Sequence, residues 1–266
     1  MKSAFSLVEL SIVLVILGLL VGGVLSGQSL IRAAELRAVS SEYSRYFTAT
    51  QTFRDKYFAL PGDMTNATAF WGTMATGTCP NATAGTGTQT CNGDGDGQID
   101  QPAAASQTGE AFGFWKQLAN AGLIEGTYTG IAGSARFDDA QINQNVPRSR
   151  LSNAGWSAAY LGTQPILEQV YIEGQYGNLL FFGGEDSSNQ YTWSPALAPE
   201  EAWNIDTKVD DGRPGLGRVR AMELYSLTFP PPCINTTVST TVPLANVAAY
   251  ALDSKTRACP LIFLID

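Results

Sequence analysis

Residues 5–31 read FSLVELSIVLVILGLLVGGVLSGQSLI, an apolar stretch in which Glu9 is the one charged residue. About 20 consecutive apolar residues are enough for a helix to span a bilayer. An unpaired carboxylate at membrane depth costs at least about 3 kcal/mol, so it normally persists where a partner neutralises it. The stretch therefore predicts a membrane helix that leaves the membrane for a protein assembly in which Glu9 is paired.

The helical pattern continues past the apolar stretch. Residues 32–58 contain no Pro or Gly, and apolar or aromatic residues recur every three or four positions, with charged residues such as Glu42 mostly between them. The sequence Leu60-Pro61-Gly62-Asp63 then breaks the pattern. We predict one continuous helix from Phe5 to about Phe58, roughly 80 Å long at a rise of about 1.5 Å per residue. Its apolar half is 5–31, and its amphipathic half, 32–58, packs on the chain's own globular part.

The segment Ala4-Phe5-Ser6-Leu7-Val8-Glu9-Leu10 resembles the cleavage and methylation signal of type IV prepilins and type II secretion pseudopilins. The resemblance rests on a short basic leader, a Phe, a Glu at the fifth mature position and a long apolar run. It implies that a prepilin peptidase removes residues 1–4, cutting after Ala4, and methylates the new terminus at Phe5. It also implies that Glu9 pairs with the terminal amine of a neighbouring subunit. The chain departs from the common pattern in having Ala4 rather than Gly before the cut, and a leader of only four residues.

The same resemblance implies a pilin-like α+β fold, in which the long helix packs on a globular head, residues 59–266, with an antiparallel sheet. The implied function is that of a structural subunit of a pilus or pseudopilus. The implied partners are the prepilin peptidase, other pilin or pseudopilin subunits and the bacterial inner membrane. The head would be extracytoplasmic before the subunit enters a periplasmic or extracellular filament. The resemblance covers residues 1–58 and is only architectural beyond them.

Three alternatives remain open at this point. The protein could be a minor or tip subunit with an adhesive role, or a membrane-anchored extracytoplasmic binding protein that does not polymerise. An ordinary secretory signal has an apolar core of about 7–15 residues followed by a cleavage site of small residues. The apolar stretch here is longer, and a competing cut would fall between Gly22 and Gly27.

The charge and composition exclude several functions. The chain has 24 acidic and 16 basic residues and a formal net charge of -8, so no nucleic-acid partner is expected. It has no histidine, which excludes a Ser-His-Asp triad and histidine-ligated zinc. Nothing in the sequence holds two carboxylates across a cleft as glycosidases require. We therefore predict that the protein is not an enzyme.

The cysteines favour export. The chain has four of them, Cys79, Cys91, Cys233 and Cys259, and they form two sequence-local pairs. An even number behind an export signal favours disulfides over free thiols. Four cysteines allow three pairings, and the sequence does not choose among them.

Residues 92–100 read NGDGDGQID and match the first nine positions of an EF-hand-type calcium loop. Position twelve is Ala103 instead of the usual bidentate Glu, and Glu110, in the helix that follows, could supply the missing ligand. The candidate calcium ligands are therefore Asn92, Asp94, Asp96, Gln98, Asp100 and Glu110. The alternative is an acidic, glycine-rich turn that stays solvated.

The remaining predictions concern the head. Pro199 begins a short helix that runs to about Asp210, and we interpret its acidic cluster, Asp206, Asp210 and Asp211, as a solvated helix end rather than a cation site. The other predicted elements are a helix over 109–123, a hairpin with arms 168–173 and 178–182 around a turn at 174–177, a strand over 219–229 and a final strand over 259–265.

Overall fold

The computed structural model describes residues 7–74, 84, 87–101, 109–164, 171–186, 188, 190–222, 233–234 and 244–266. Its helices are α1 (Leu7–Tyr57), α2 (Ala67–Trp71), α3 (Glu110–Asn120), α4 (Pro199–Val209) and α5 (Leu244–Val247). Its strands are β1 (Gly155–Gln164), β2 (Gly174–Gly183), β3 (Val219–Ala221) and β4 (Leu261–Leu264). The predicted α+β architecture with an antiparallel sheet is confirmed.

The helix α1 is continuous over 51 residues, which corresponds to about 75 Å. The predicted long helix is therefore confirmed from Leu7 to Tyr57, and the predicted processing residues Ala4 and Phe5 lie outside the described part of the chain. Among the described helices, α1 is the one long and apolar enough to cross a membrane, and none of that apolar window is buried against the rest of the protein.

The second half of α1 packs on the head through one face. Tyr43 donates its hydroxyl to the Leu264 carbonyl at 2.7 Å, and its ring lies 4.8 Å from that of Phe263 in β4. Tyr46 contacts Trp115 of α3 and Trp156 of β1 edge to face, at centroid distances of 5.0 and 5.7 Å. These contacts hold the helix across both the sheet and α3.

A buried carboxylate reinforces this contact. Glu42 is 6% exposed and accepts three hydrogen bonds: from Ser149 Oγ at 2.7 Å, from the Arg150 amide at 2.8 Å and from Trp156 Nε1 at 2.9 Å. Hydrogen bonds of this kind offset the cost of burying a charge. Glu42 therefore ties α1 to the start of β1 and to the loop before it.

The described strands form one antiparallel sheet in the order β1-β2-β4-β3. The predicted turn at 174–177 is wrong: β2 pairs with β1, and Gly177 lies opposite Leu161 within the ladder. Of the predicted first arm, residues 168–170 lie outside the described part of the chain, and residues 171–173 do not form a strand. A side chain at Gly177 would collide with the carboxylate of Asp266. Glycine at this position therefore reflects the close approach of another group, as is common for glycine inside strands.

The last part of the chain closes the sheet. The structure contains a disulfide between Cys233 and Cys259, directly before β4. The predicted final strand is confirmed as β4, although it is shorter than predicted. Of the predicted strand over 219–229, residues 219–221 form β3, and residues 223–229 lie outside the described part. Cys91 is disulfide-bonded, and Cys79 lies outside the described residues.

Candidate functional site

The first candidate site is the apolar half of α1. Its large apolar side chains, from Leu7 to Ile31, are between 49% and 85% exposed. An apolar surface of this extent marks a contact with a membrane or with other proteins. Glu9 lies near the start of this exposed surface.

Two hydroxyl groups of this half have partners that suit an apolar environment. Ser11 Oγ donates to the Val8 carbonyl at 2.9 Å, and Ser29 Oγ donates to the Ser26 carbonyl at 2.9 Å. Inside a bilayer or an apolar protein contact, hydroxyls need partners within the same segment. Ser11 and Ser29 meet this requirement, and Glu9 is the one charged residue of this half.

The second candidate site forms where the turn after α1 meets the acidic loop 92–100. Gly62 has a φ of 91°, which glycine adopts without strain, and a Cβ there would collide with the backbone oxygen of Glu110. The Gly62 amide donates to Gln117 Oε1 of α3 at 2.8 Å. This turn buries Asp63, which is 2% exposed, against the loop.

Asp63 and the loop form a compact acidic group. Asp63 Oδ1 accepts a hydrogen bond from the Gly95 amide at 2.6 Å, and its Oδ2 accepts one from the Gly97 amide at 3.0 Å. Carboxylate oxygens of Asp63, Asp94 and Asp96 lie within 4.8 Å of one another, close enough to hold one metal ion. The sequence reasoning missed Asp63, because nothing in its local sequence indicates contact with a loop about 30 residues later.

The other predicted ligands form hydrogen bonds that shape the loop. Asn92 Oδ1 accepts from the Thr68 amide at 2.8 Å, and Gln98 Nε2 donates to Asp96 Oδ2 at 2.8 Å. Glu110 Oε1 accepts from the Asp94 amide at 2.9 Å, and its Oε2 accepts from the Asp100 amide at 3.0 Å. Glu110 therefore bridges the loop from α3, and its carboxylate is not in the three-residue group.

The acidic loop has an unfavourable electrostatic environment for its carboxylates. Burial, together with the charges of Asp63 and Asp94, raises the pKa of Glu110 to about 7, against two stabilising backbone hydrogen bonds. Burial also raises the pKa values of Asp63 and Asp100, and the neighbouring acids Asp94 and Asp96 add to both effects. A bound cation would relieve this repulsion.

A second acidic group surrounds the end of α4. Carboxylate oxygens of Asp206, Asp210 and Asp211 lie within 4.8 Å of one another. The interpretation of a solvated helix end is wrong for Asp206, which is fully buried. Its Oδ2 accepts from the Tyr250 hydroxyl at 2.8 Å, and its Oδ1 accepts from the Gly212 amide at 3.1 Å. The segment that contains Tyr250 covers this helix end, and the local sequence does not show that contact.

Asp206 makes the free energy of unfolding of the protein depend on pH. Burial, with the nearby charges of Asp211 and Asp210, raises its pKa to about 7 from an ordinary 3.8. Between these values the unfolded chain loses the proton while the folded protein keeps it. The stabilising contribution is therefore full below about pH 4 and is lost as the pH rises to about 7, at up to about 1.4 kcal/mol per pH unit.

We expect Asp206→Asn to remove this part of the pH dependence, because the amide does not ionise. Urea unfolding of the unmodified protein and of Asp206→Asn, in detergent and EDTA from pH 4 to pH 8, measures how the free energy of unfolding changes with pH. The free energy of unfolding of the variant should fall less steeply with pH, by on the order of 1 kcal/mol per pH unit. Parallel curves for the two proteins would contradict the assignment to Asp206.

No match was found when the chain was compared with models of protein families, with curated proteins and with solved structures. The structure itself defines a coarse class. The described residues form an α+β head attached to one long N-terminal helix, whose apolar half is a candidate membrane span.

Proposed function

We propose that the protein is a type IV pilin-like structural subunit, which a prepilin peptidase processes and which assembles into a pilus or pseudopilus. One observation carries the proposal. A continuous helix of 51 residues has one half docked on the head and the other half exposed, with Glu9 near the exposed end. Each half of the helix then has its own role, since the first half forms the filament core and the second half carries the head.

The assembly step follows from the chemistry of Glu9. The helix inserts into the inner membrane, the peptidase removes residues 1–4, and Phe5 receives a methyl group on its amine. During extraction, Glu9 pairs with the Phe5 amine of a neighbouring subunit. The pair neutralises two charges that would otherwise be buried alone, and it fixes the axial register between identical subunits.

A simple membrane anchor accounts for fewer of these features. An anchor needs the apolar stretch but gains nothing from a carboxylate near its end, which only adds an insertion cost. It also has no need of a helix that continues without interruption from the apolar half to Tyr57. A filament requires both features, because the head must stay at a fixed distance and angle from the core.

Shearing experiments test the proposal. Cells that produce the protein are sheared, the released filaments are purified, and subunits are quantified by mass spectrometry. A dominant amount of this chain identifies a major subunit, and a small, reproducible amount within filaments identifies a minor or tip subunit. Recovery of the chain only in membranes would contradict assembly and favour an anchored binding protein.

We also propose that the acidic loop binds calcium, which would hold it against the end of α1. Carboxylate oxygens of Asp63, Asp94 and Asp96 lie within 4.8 Å of one another, and Ca²⁺ accepts oxygen ligands in a less rigid geometry than Mg²⁺ does. The ion would supply positive charge where burial and like charges raise the carboxylate pKa values. Its role would be structural.

Calcium titration of the full chain in detergent tests this second proposal. We expect a dissociation constant of roughly 10⁻⁴ to 10⁻³ M, as in extracellular modules, and a rise in melting temperature of about 5 °C at saturating calcium. The double variant Asp94→Asn/Asp96→Asn should lose both effects, and Asp253→Asn, an exposed acid elsewhere, should keep them. Equal calcium responses in all three proteins would contradict the site.

A further inference from the structure

Phe58, directly after α1, combines two features that are unfavourable for folding. Its φ is 54°, a left-handed conformation that is an outlier for a bulky residue and costs on the order of 1 kcal/mol. Its side chain is 93% exposed, so that the ring contributes almost nothing to packing. The left-handed conformation has a structural role, because the Phe58 amide donates to the Arg54 carbonyl at 2.8 Å and ends α1 as an αL cap. That role does not need an aromatic side chain, so the exposed ring at a strained position is a candidate for function.

Phe58 is one of the residues that line a polar cleft. The cleft has a volume of about 750 Å³ and lies between the end of α1, the turn after it and the acidic loop. Its lining includes Gln51, Arg54, Asp55, Thr65 and Asp266. A cavity of this size is within the range of small-molecule sites.

Some of the polar groups in the cleft have hydrogen-bond partners within the described part of the protein, and others do not. Asp63 accepts from two loop amides, and Asp266 accepts from the Asn178 amide at 2.7 Å and from its Nδ2 at 2.8 Å. Gln51 donates its Nε2 to the Ile265 carbonyl at 3.2 Å. The side chains of Arg54 and Asp55 are exposed and make no hydrogen bond or ion pair to another described residue. They line the same cleft as Phe58 and provide a donor and an acceptor for a ligand there.

We propose that this cleft binds a neutral carbohydrate, with the apolar C–H face of a pyranose ring on Phe58 and its hydroxyl groups on Arg54 and Asp55. An exposed aromatic ring beside free donors and acceptors suits a ligand that is apolar on its face and polar around its edge. Apart from Asp63, which belongs to the proposed calcium site, the described residues that line the cleft include two carboxylates, Asp55 and Asp266, and one guanidinium, that of Arg54. This balance disfavours anionic sugars, and the polar lining disfavours lipids. The site lies in the head and at the end of α1, so it is independent of filament assembly.

Sugar binding to the full chain in nanodiscs tests the proposal, because the head groups of glycosidic detergents would compete for the cleft. The probes are lactose, cellobiose and maltose, with sialyllactose as the anionic comparison, measured by saturation-transfer NMR and titration. We expect at least one neutral disaccharide to bind and sialyllactose to bind more weakly. Phe58→Trp should keep binding, and Phe58→Gly should weaken it about tenfold.

Two controls separate binding from folding. Phe58→Gly should raise the melting temperature by about 2 °C, because glycine suits the left-handed conformation and the exposed ring gives up no packing. Phe70→Ala removes another exposed aromatic, one whose ring packs on Tyr57 at 5.4 Å, and should leave sugar binding unchanged. Glu9→Ala should also bind as the unmodified protein does, even if it does not assemble.

Three results would overturn the proposal. The first is that no neutral probe binds. The second is binding that is the same in the unmodified protein and Phe58→Gly. The third is that Phe58→Gly loses self-association while neither it nor the unmodified protein gives a sugar signal. That result would assign the Phe58 ring to a contact with a second copy of the chain.

Discussion

The variant Glu9→Ala is expected to reach the membrane in normal amounts and to reduce assembled filaments by about 100-fold or more. In the proposed filament, the amine of Phe5 in each subunit is buried beside Glu9 of a neighbour. Removing one partner of a buried ion pair leaves the other charge unpaired, at a cost of about 3–5 kcal/mol. This cost recurs at every subunit, so it acts on assembly and not on the folding of the head.

Immunoblots of the membrane fraction and electron microscopy of sheared material measure the two parts of this prediction. Glu9→Gln should assemble as poorly as Glu9→Ala, since it keeps the shape and removes only the charge. Ser11→Ala, on the same exposed surface and with a hydroxyl bonded within its own helix, should assemble normally. Normal filaments from Glu9→Gln would refute the role of the charge.

The variant Glu42→Ala should lower the free energy of unfolding of the head by about 4 kcal/mol. The substitution leaves three donors without their acceptor: Ser149 Oγ, the Arg150 amide and Trp156 Nε1. Each buried donor that loses its partner costs about 1–3 kcal/mol. Because these donors belong to β1 and the preceding loop, the loss weakens the contact that holds α1 on the head.

Denaturant unfolding followed by tryptophan fluorescence measures this change, since Trp156 is one of the donors. Glu42→Gln should be intermediate, because an amide oxygen can still accept from Ser149 and Trp156 while its NH₂ group faces the Arg150 amide. Glu35→Ala, two turns earlier on α1 and paired with the partly exposed Arg32 at 3.2 Å, should cost less than about 1 kcal/mol. If Glu42→Ala costs no more than Glu35→Ala, the proposed docking contact is wrong.

The features that the sequence predicts well depend on local patterns along the chain. The long helix follows from an uninterrupted apolar and then amphipathic periodicity that Leu60-Pro61-Gly62 ends. The helix at Pro199 and the final strand before Ile265 have similarly local signals. In each case, neighbouring residues supply enough information to choose between helix, strand and turn.

The features that the sequence reasoning missed depend on contacts between distant segments. The periodicity of α1 assigns Glu42 to the charged residues outside the packed stripe, yet it is buried because donors more than 100 residues later surround it. Asp63 and Asp206 acquire their environments from the acidic loop and from Tyr250. Gly174 and Gly177 indicate a turn by composition, but the approach of Arg220 and Asp266 explains their place within β2.

Mass spectrometry of the mature amino terminus, in cells with and without the prepilin peptidase, tests the central claim most directly. The proposal predicts a peptide that begins at N-methylated Phe5 and that disappears when the peptidase is absent. A chain that retains Met1, or one cut near Ser26 in both strains, would contradict it and make the protein an anchored or secreted domain.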